Sequence, residues 1–146
     1  FKKYGKWIIV SAVFELKNAS VEDSKAKIDK SIEYRKKCHP IDFPSAGSTF
    51  VNPEIKIKNK VLLKKFPDLA EMNTRDAIPA AYLIEKCGLK GKKIGQAAIS
   101  EKHANFIINL GNAKANDVLR LIKLVQKKVK KIFGVSLLPE VRFIGF

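Results

Sequence analysis

Residues 44–53, PSAGSTFVNP, gather the hydroxyls of Ser45, Ser48 and Thr49, a glycine and a carboxamide into one tight segment. Gly47 allows backbone geometry closed to other residues, which would present the Ser48 hydroxyl and neighbouring N–H groups to a ligand. Ser/Gly/Pro clusters are also ordinary turn chemistry, so this segment alone supports a donor site or a plain turn. No Ser-His-Asp triad can be built, because His39 and His103 are the only histidines and no spacing sets either beside Ser48. Glu140 is the second candidate. It lies in PEVRFIG, residues 139–145, where a carboxylate among apolar neighbours needs water, a partner such as Arg142 or a lysine, or a raised pKa. Cys38 and Cys87 lie far apart with no C-x-x-C or Cys/His ligand spacing, so neither a metal site nor a disulfide framework is expected, and a reducing cytoplasm is.

Positioning these groups falls to elements that the pattern of residues outlines. Residues 7–16 alternate, with Ile8, Val10, Ala12, Phe14 and Leu16 on one face and Trp7, Ile9 and Val13 on the other, which predicts a strand covered on both sides. Ser20 followed by Asp23 makes a capping box for a charged helix running to about residue 37. Residues 39–53 hold Pro40, Pro44 and Pro53 and form an ordered loop or a broken strand. The lysine-rich stretch to residue 73 is loop with at most a short helix. Pro79, the apolar Ala80, Leu83, Ile84 and Cys87, and Gly88 mark a helix of about two turns. Residues 94–99 and 105–109 suit two strands. Val118, Leu121, Ile122, Val125, Val129, Ile132 and Phe133 form the apolar stripe of the clearest helix, ended by Gly134. Residues 135–146 read as a last strand, in which Pro139 must take an edge, a bulge or a strand start. The fold class is α+β, a small antiparallel or mixed sheet with helices packed on one face.

A chain of 146 residues, 46% hydrophobic, has room for one domain with a real core, alone or with a piece of a neighbour. The net charge of +15 raises the alternative of a basic, non-enzymatic module for nucleic acid or an anionic surface. Only Arg35, Arg75, Arg120 and Arg142 are arginines among 29 basic residues, and the lysines are spread without interleaved aromatics, so solvated surface is the better reading. No nucleic-acid or membrane partner is expected; the apolar run at 7–16 is far too short to span a bilayer. An anionic small substrate suits the charge equally well.

Four segments taken together, PSAGSTFVNP (44–53), AAYLIEKCGLKG (80–91), SEKHANFIIN (100–109) and PEVRFIG (139–145), resemble in order the UDP-N-acetylenolpyruvoylglucosamine reductase (MurB) family over essentially the whole chain. The resemblance implies a fragment that opens on Phe1 where the flavin-binding domain is ending. Residues 1–37 would be that domain's terminal strand and helix, and residues 38–146 the substrate-binding domain. It implies FAD and NADPH as cofactors of the full-length enzyme, none bound by the fragment alone, and UDP-N-acetylglucosamine enolpyruvate as the substrate, reduced to UDP-N-acetylmuramate for peptidoglycan. Ser48 matches the family's proton donor and Glu140 its catalytic glutamate. Asn52, His103 and Arg142 match substrate contacts, although His103 beside apolar residues 104–108 also suits a core histidine. Cys38-His39 stand where many relatives have a basic residue and glutamine, which leaves Lys37 as a shifted diphosphate ligand, with His39 as the alternative. Ala81 and Gln96 stand where glycine is usual.

Overall fold

Acidic Glu22 and Asp23 in the first turn and basic Arg35, Lys36 and Lys37 in the last complement the dipole of helix α1, Val21–Cys38, in the computed structural model, which describes residues 10–145. The Ser20 hydroxyl accepts the Asp23 N–H at 3.0 Å, so the predicted cap is in place. The chain divides into two units, Phe1–Glu33 and Tyr34–Phe146. In the first, the predicted strand at 7–16 is corrected. Residues 7–9 lie outside the described residues, and 10–16 have no strand structure, with Val10, Val13, Phe14 and Leu16 exposed. Alternation marks two faces, but a strand also needs a neighbour to take its backbone hydrogen bonds.

The second unit holds a four-stranded antiparallel sheet of β1 (Ser45–Ser48), β2 (Lys93–Ile94), β3 (Ala97–Ile99) and β4 (Phe106–Asn109), in the order β1-β4-β3-β2. The predicted strand at 94–99 is in fact a hairpin, β2 and β3 turning at Gly95-Gln96. Ahead of it come α2 (Lys60–Lys65), α3 (Leu69–Met72) and α4 (Ala80–Lys86), and behind it α5 (Ala115–Phe133). The lysine-rich stretch thus yields two short helices where at most one was expected. Asn59 starts α2 by accepting the Val61 and Leu62 N–H groups, at 2.9 and 3.2 Å.

Helix α5 is where pattern and packing agree. Leu121, Ile122, Val125, Val129 and Phe133 are buried, Val118 and Ile132 partly so, and Gly134 ends the helix at φ 73°. They meet Ala97, Ile99 and Ile107 of the sheet and Leu83 and Ile84 of α4 in one core. Each such aliphatic side chain stabilises the fold by roughly 1.5–3 kcal/mol. Ala98 and Ile108, also buried, belong to the opposite face, where Pro40 and Phe43 lie alongside. The α+β class with helices on one sheet face is therefore as expected. The last strand is not: residues 135–145 make only an isolated bridge, Pro139 to Phe50, although Val135 and Leu137 are buried in the core. No helix among the described residues is long and apolar enough to cross a membrane.

The hairpin turn is fitted against the start of α5. Gly95 has φ 55°, and a Cβ there would lie 2.3 Å from Asp117 Oδ2, the oxygen that accepts the Lys114 N–H at 3.1 Å and caps the helix. A left-handed alanine costs about 1 kcal/mol, and displacing the capping carboxylate adds a similar amount. Gly95→Ala is therefore expected to lower stability by about 2 kcal/mol in urea unfolding. In an Asp117→Ala background its cost should be smaller, and equal costs in both backgrounds would refute the steric contact.

Candidate functional site

The segment carrying Ser48 is an irregular strand, and its irregularity has a defined source. Ser45 pairs with Ile108 but Ser48 with Phe106, so β1 spends one residue more than β4 across the same interval. Gly47 at φ 81° takes up the surplus, as a bulge with a left-handed glycine does. Beyond it Ser48 is exposed, and nothing lies within 4 Å of where a side chain at Gly47 would sit.

The chain then enters the core. Thr49 and Phe50 are 3% and 2% exposed. The Thr49 N–H bonds the Asn105 carbonyl at 2.8 Å, and the Asn105 side chain grips Phe50 twice, accepting its N–H at 3.0 Å and donating to its carbonyl at 2.9 Å. On the other side, the Glu140 N–H bonds the Thr49 carbonyl at 2.8 Å and the Val51 N–H bonds the Leu138 carbonyl at 2.9 Å. Pro139 stands opposite Phe50, in a position of the bridge that requires no N–H, which is why proline is tolerated there. The segments that carry Ser48 and Glu140, far apart in sequence, are thus bonded backbone to backbone through Thr49 and Val51. Arg142, two residues on, is exposed.

His103 precedes Asn105 in the turn leading to β4, and its Nδ1 accepts the Asn105 N–H at 3.3 Å. Its neighbour is His39, with ring centroids 5.5 Å apart and planes 12° from parallel. Burial first, and then the charge of His39, push the His103 pKa below the ordinary histidine value. Lys37 sits in the exposed last turn of α1. Asn52 is partly occupied: its Oδ1 accepts the Ala80 N–H at 2.9 Å, capping α4 from a distance in sequence and leaving only its amide N–H₂ to donate to a ligand. A groove of about 380 Å³ runs past the bulge, lined by Pro44, Ser45, Ala46, Thr49, Ile108 and Val141 among others; Ser48 and Glu140 are not in its lining.

The structure therefore brings together the backbones bearing Ser48 and Glu140 and joins them through Asn105 to His103. Asn52 is joined to α4 instead, and Lys37 and Arg142 form no described hydrogen bond or ion pair with the rest of the set. Asn105, which ties the set together, was missed from sequence; His39, weighed there as an alternative to Lys37 for the diphosphate, is found stacked on His103. A polar Asn105 inside the apolar run 104–108 was the available signal. Among the described residues no group of three or more His, Cys, Asp and Glu could hold a metal.

Comparison with known proteins agrees with this architecture. Residues 39–144 match the family described as UDP-N-acetylenolpyruvoylglucosamine reductase, C-terminal domain. UDP-N-acetylenolpyruvoylglucosamine reductase of Caldanaerobacter subterraneus subsp. tengcongensis is 41% identical over 140 residues, covering 96% of this chain and 39% of the relative. That of Caldicellulosiruptor bescii is 43% identical over 146 residues, with 98% and 39% covered. The crystal structure of UDP-N-acetylenolpyruvylglucosamine reductase (MurB) from Thermus caldophilus aligns with a TM-score of 0.58 at 31% identity, over 88% of this chain and 37% of that one. The chain spans about two fifths of the length of these relatives. With the C-terminal domain matched from His39 to Ile144 and the sheet shared with a solved relative, the chain belongs to the UDP-N-acetylenolpyruvoylglucosamine reductase family.

Proposed function

We propose that this chain is the substrate-holding part of a cytoplasmic, NADPH-dependent flavoprotein that reduces UDP-N-acetylglucosamine enolpyruvate to UDP-N-acetylmuramate. Residues 38–146 form its substrate-binding domain, and residues 1–37 are the end of the FAD-binding domain of the same polypeptide. The observation that carries this reading is the Gly47 bulge, which exposes Ser48 while the Glu140 N–H is bonded to the adjoining Thr49 carbonyl. Flavin, when bound by the full enzyme, supplies the hydride to one carbon of the enolpyruvyl double bond.

The residues of this chain do the rest. Ser48 gives its hydroxyl proton to the adjacent carbon. Glu140 takes part in stabilising the enol-like state in which charge gathers on the substrate carboxylate. His103, through Nε2–H, with Arg142, Lys37 and the Asn52 amide N–H₂, presents donors and positive charge to the sugar and its diphosphate. The net charge of +15 then serves an anionic substrate rather than a polymer.

Calorimetric titration tests this reading. The chain should bind UDP-N-acetylglucosamine enolpyruvate more tightly than it binds duplex DNA at physiological salt. Tighter, steeply salt-dependent DNA binding would instead establish the basic binding module.

A further inference from the structure

The His103 ring is restrained from several directions. Its backbone sits in a turn where the buried Ser100 Oγ accepts the His103 N–H at 3.2 Å and the Phe106 N–H bonds the His103 carbonyl at 3.0 Å. Rotation about Cβ–Cγ is limited by two rings. His39 lies nearly parallel, at 5.5 Å between centroids and 12° between planes, and Phe106 meets His103 edge-on at 4.8 Å. A stack fixes the plane of an imidazole but not which of two in-plane orientations it takes, since a half-turn exchanges Nδ1 with a carbon. The Asn105 N–H makes that choice by bonding Nδ1 at 3.3 Å, which sets the proton on Nε2.

His39 is built into this arrangement as a surface. Its Nδ1 is buried and has no hydrogen-bond partner, so the ring contributes its face and not that nitrogen. Phe106 meets it edge-on as well, at 5.4 Å. A separate clamp keeps it in place. Lys102, next to His103, donates to Asp42 Oδ2 at 3.1 Å and to the Lys36 carbonyl at 3.4 Å, and so closes residues 36–42 onto the turn that carries His103.

We propose that His39 is a positioning residue for substrate binding: its ring is the plate that holds the His103 imidazole in one plane, so that Nε2–H is already aimed when the nucleotide-sugar diphosphate arrives. This rests on the reading that His103 donates to that diphosphate. Such preorganisation raises affinity because the donor is ordered before the ligand binds. A donor free to swing loses part of that gain. His39 itself makes no bond to the ligand.

Calorimetric titration of the chain with UDP-N-acetylglucosamine tests the plate. His39→Phe keeps a flat face without either nitrogen; it should bind within about twofold of the wild type and, freed of a buried unpaired nitrogen, unfold at the same or a higher urea concentration. His39→Ala removes the plate and should bind about fivefold more weakly. In a His103→Ala background the same alanine change should have no further effect on affinity, because it reaches the ligand only through His103. A comparable loss of affinity, or failure to fold, in His39→Phe would show that a nitrogen of His39 is needed, as for a direct ligand of the diphosphate. A loss in His39→Ala that persists in His103→Ala would show a route other than His103. Either result overturns the positioning role, as does wild-type affinity in His39→Ala, and the phenylalanine arm stands whether or not the alanine variant folds. Undetectable binding of UDP-N-acetylglucosamine by the wild-type chain at millimolar concentration, or affinity unmoved in His103→Ala, removes the substrate reading itself.

Discussion

On the function proposed above, replacing Ser48 with alanine in the full-length enzyme is expected to slow substrate reduction by about 100-fold or more, while reduction of the flavin by NADPH proceeds at the wild-type rate. The two half-reactions separate because only the second needs a proton delivered to carbon, and a positioned general acid contributes roughly 10² to 10⁴ in rate. The structure removes the usual ambiguity of such a variant. Ser48 is exposed and its hydroxyl makes no described hydrogen bond, so its loss leaves no buried group unpaired and stability should change by less than about 0.5 kcal/mol. The left-handed residue of the bulge is Gly47, which the substitution leaves alone. Stopped-flow absorbance of the flavin resolves the half-reactions. Undiminished reoxidation by substrate in Ser48→Ala would remove Ser48 from proton donation, and a Ser48→Cys variant, which keeps a donor at the same place, should recover part of the rate.

What could be seen in advance followed the physics that local sequence encodes. The stripe on α5, the cap at Ser20 and the glycine stops at Gly88 and Gly134 depend on neighbours within a turn or two, and all are present as expected. Strands were harder because alternation reports which way side chains face and not whether the backbone has a partner. Residues 135–138 do alternate, with Val135 and Leu137 buried and Ser136 and Leu138 exposed, yet pairing is confined to one bridge. The β2–β3 hairpin was hidden inside a short apolar run whose only punctuation is Gly95. Within the candidate site, the resemblance to a family singled out Ser48, Glu140 and His103, and the structure adds what links them. That linkage is invisible in sequence because Asn105 reaches Phe50 across 55 positions and His39 stacks on His103 across a comparable gap.

The hub itself supplies the other large effect, and it falls on stability first. Phe50 makes its two backbone bonds to the Asn105 side chain because the opposite edge of its strand faces Pro139. In Asn105→Ala both Phe50 groups are left buried without partners, at about 1–3 kcal/mol each, so a loss of about 2–6 kcal/mol is expected in urea unfolding. Asn105→Asp probes the same site more finely. An ionised aspartate still accepts the Phe50 N–H but sets negative charge against the Phe50 carbonyl; protonated, it can donate to that carbonyl and restore both bonds. Its folded-state pKa must therefore rise above the unfolded value, so its contribution to stability is present in acid and is lost as pH increases through the raised folded pKa. The variant should gain stability relative to the wild type as pH falls from 7 toward 5. A constant difference between the two across that range would show that the paired bonds to Phe50 do not hold the Ser48 bulge against the Glu140 segment.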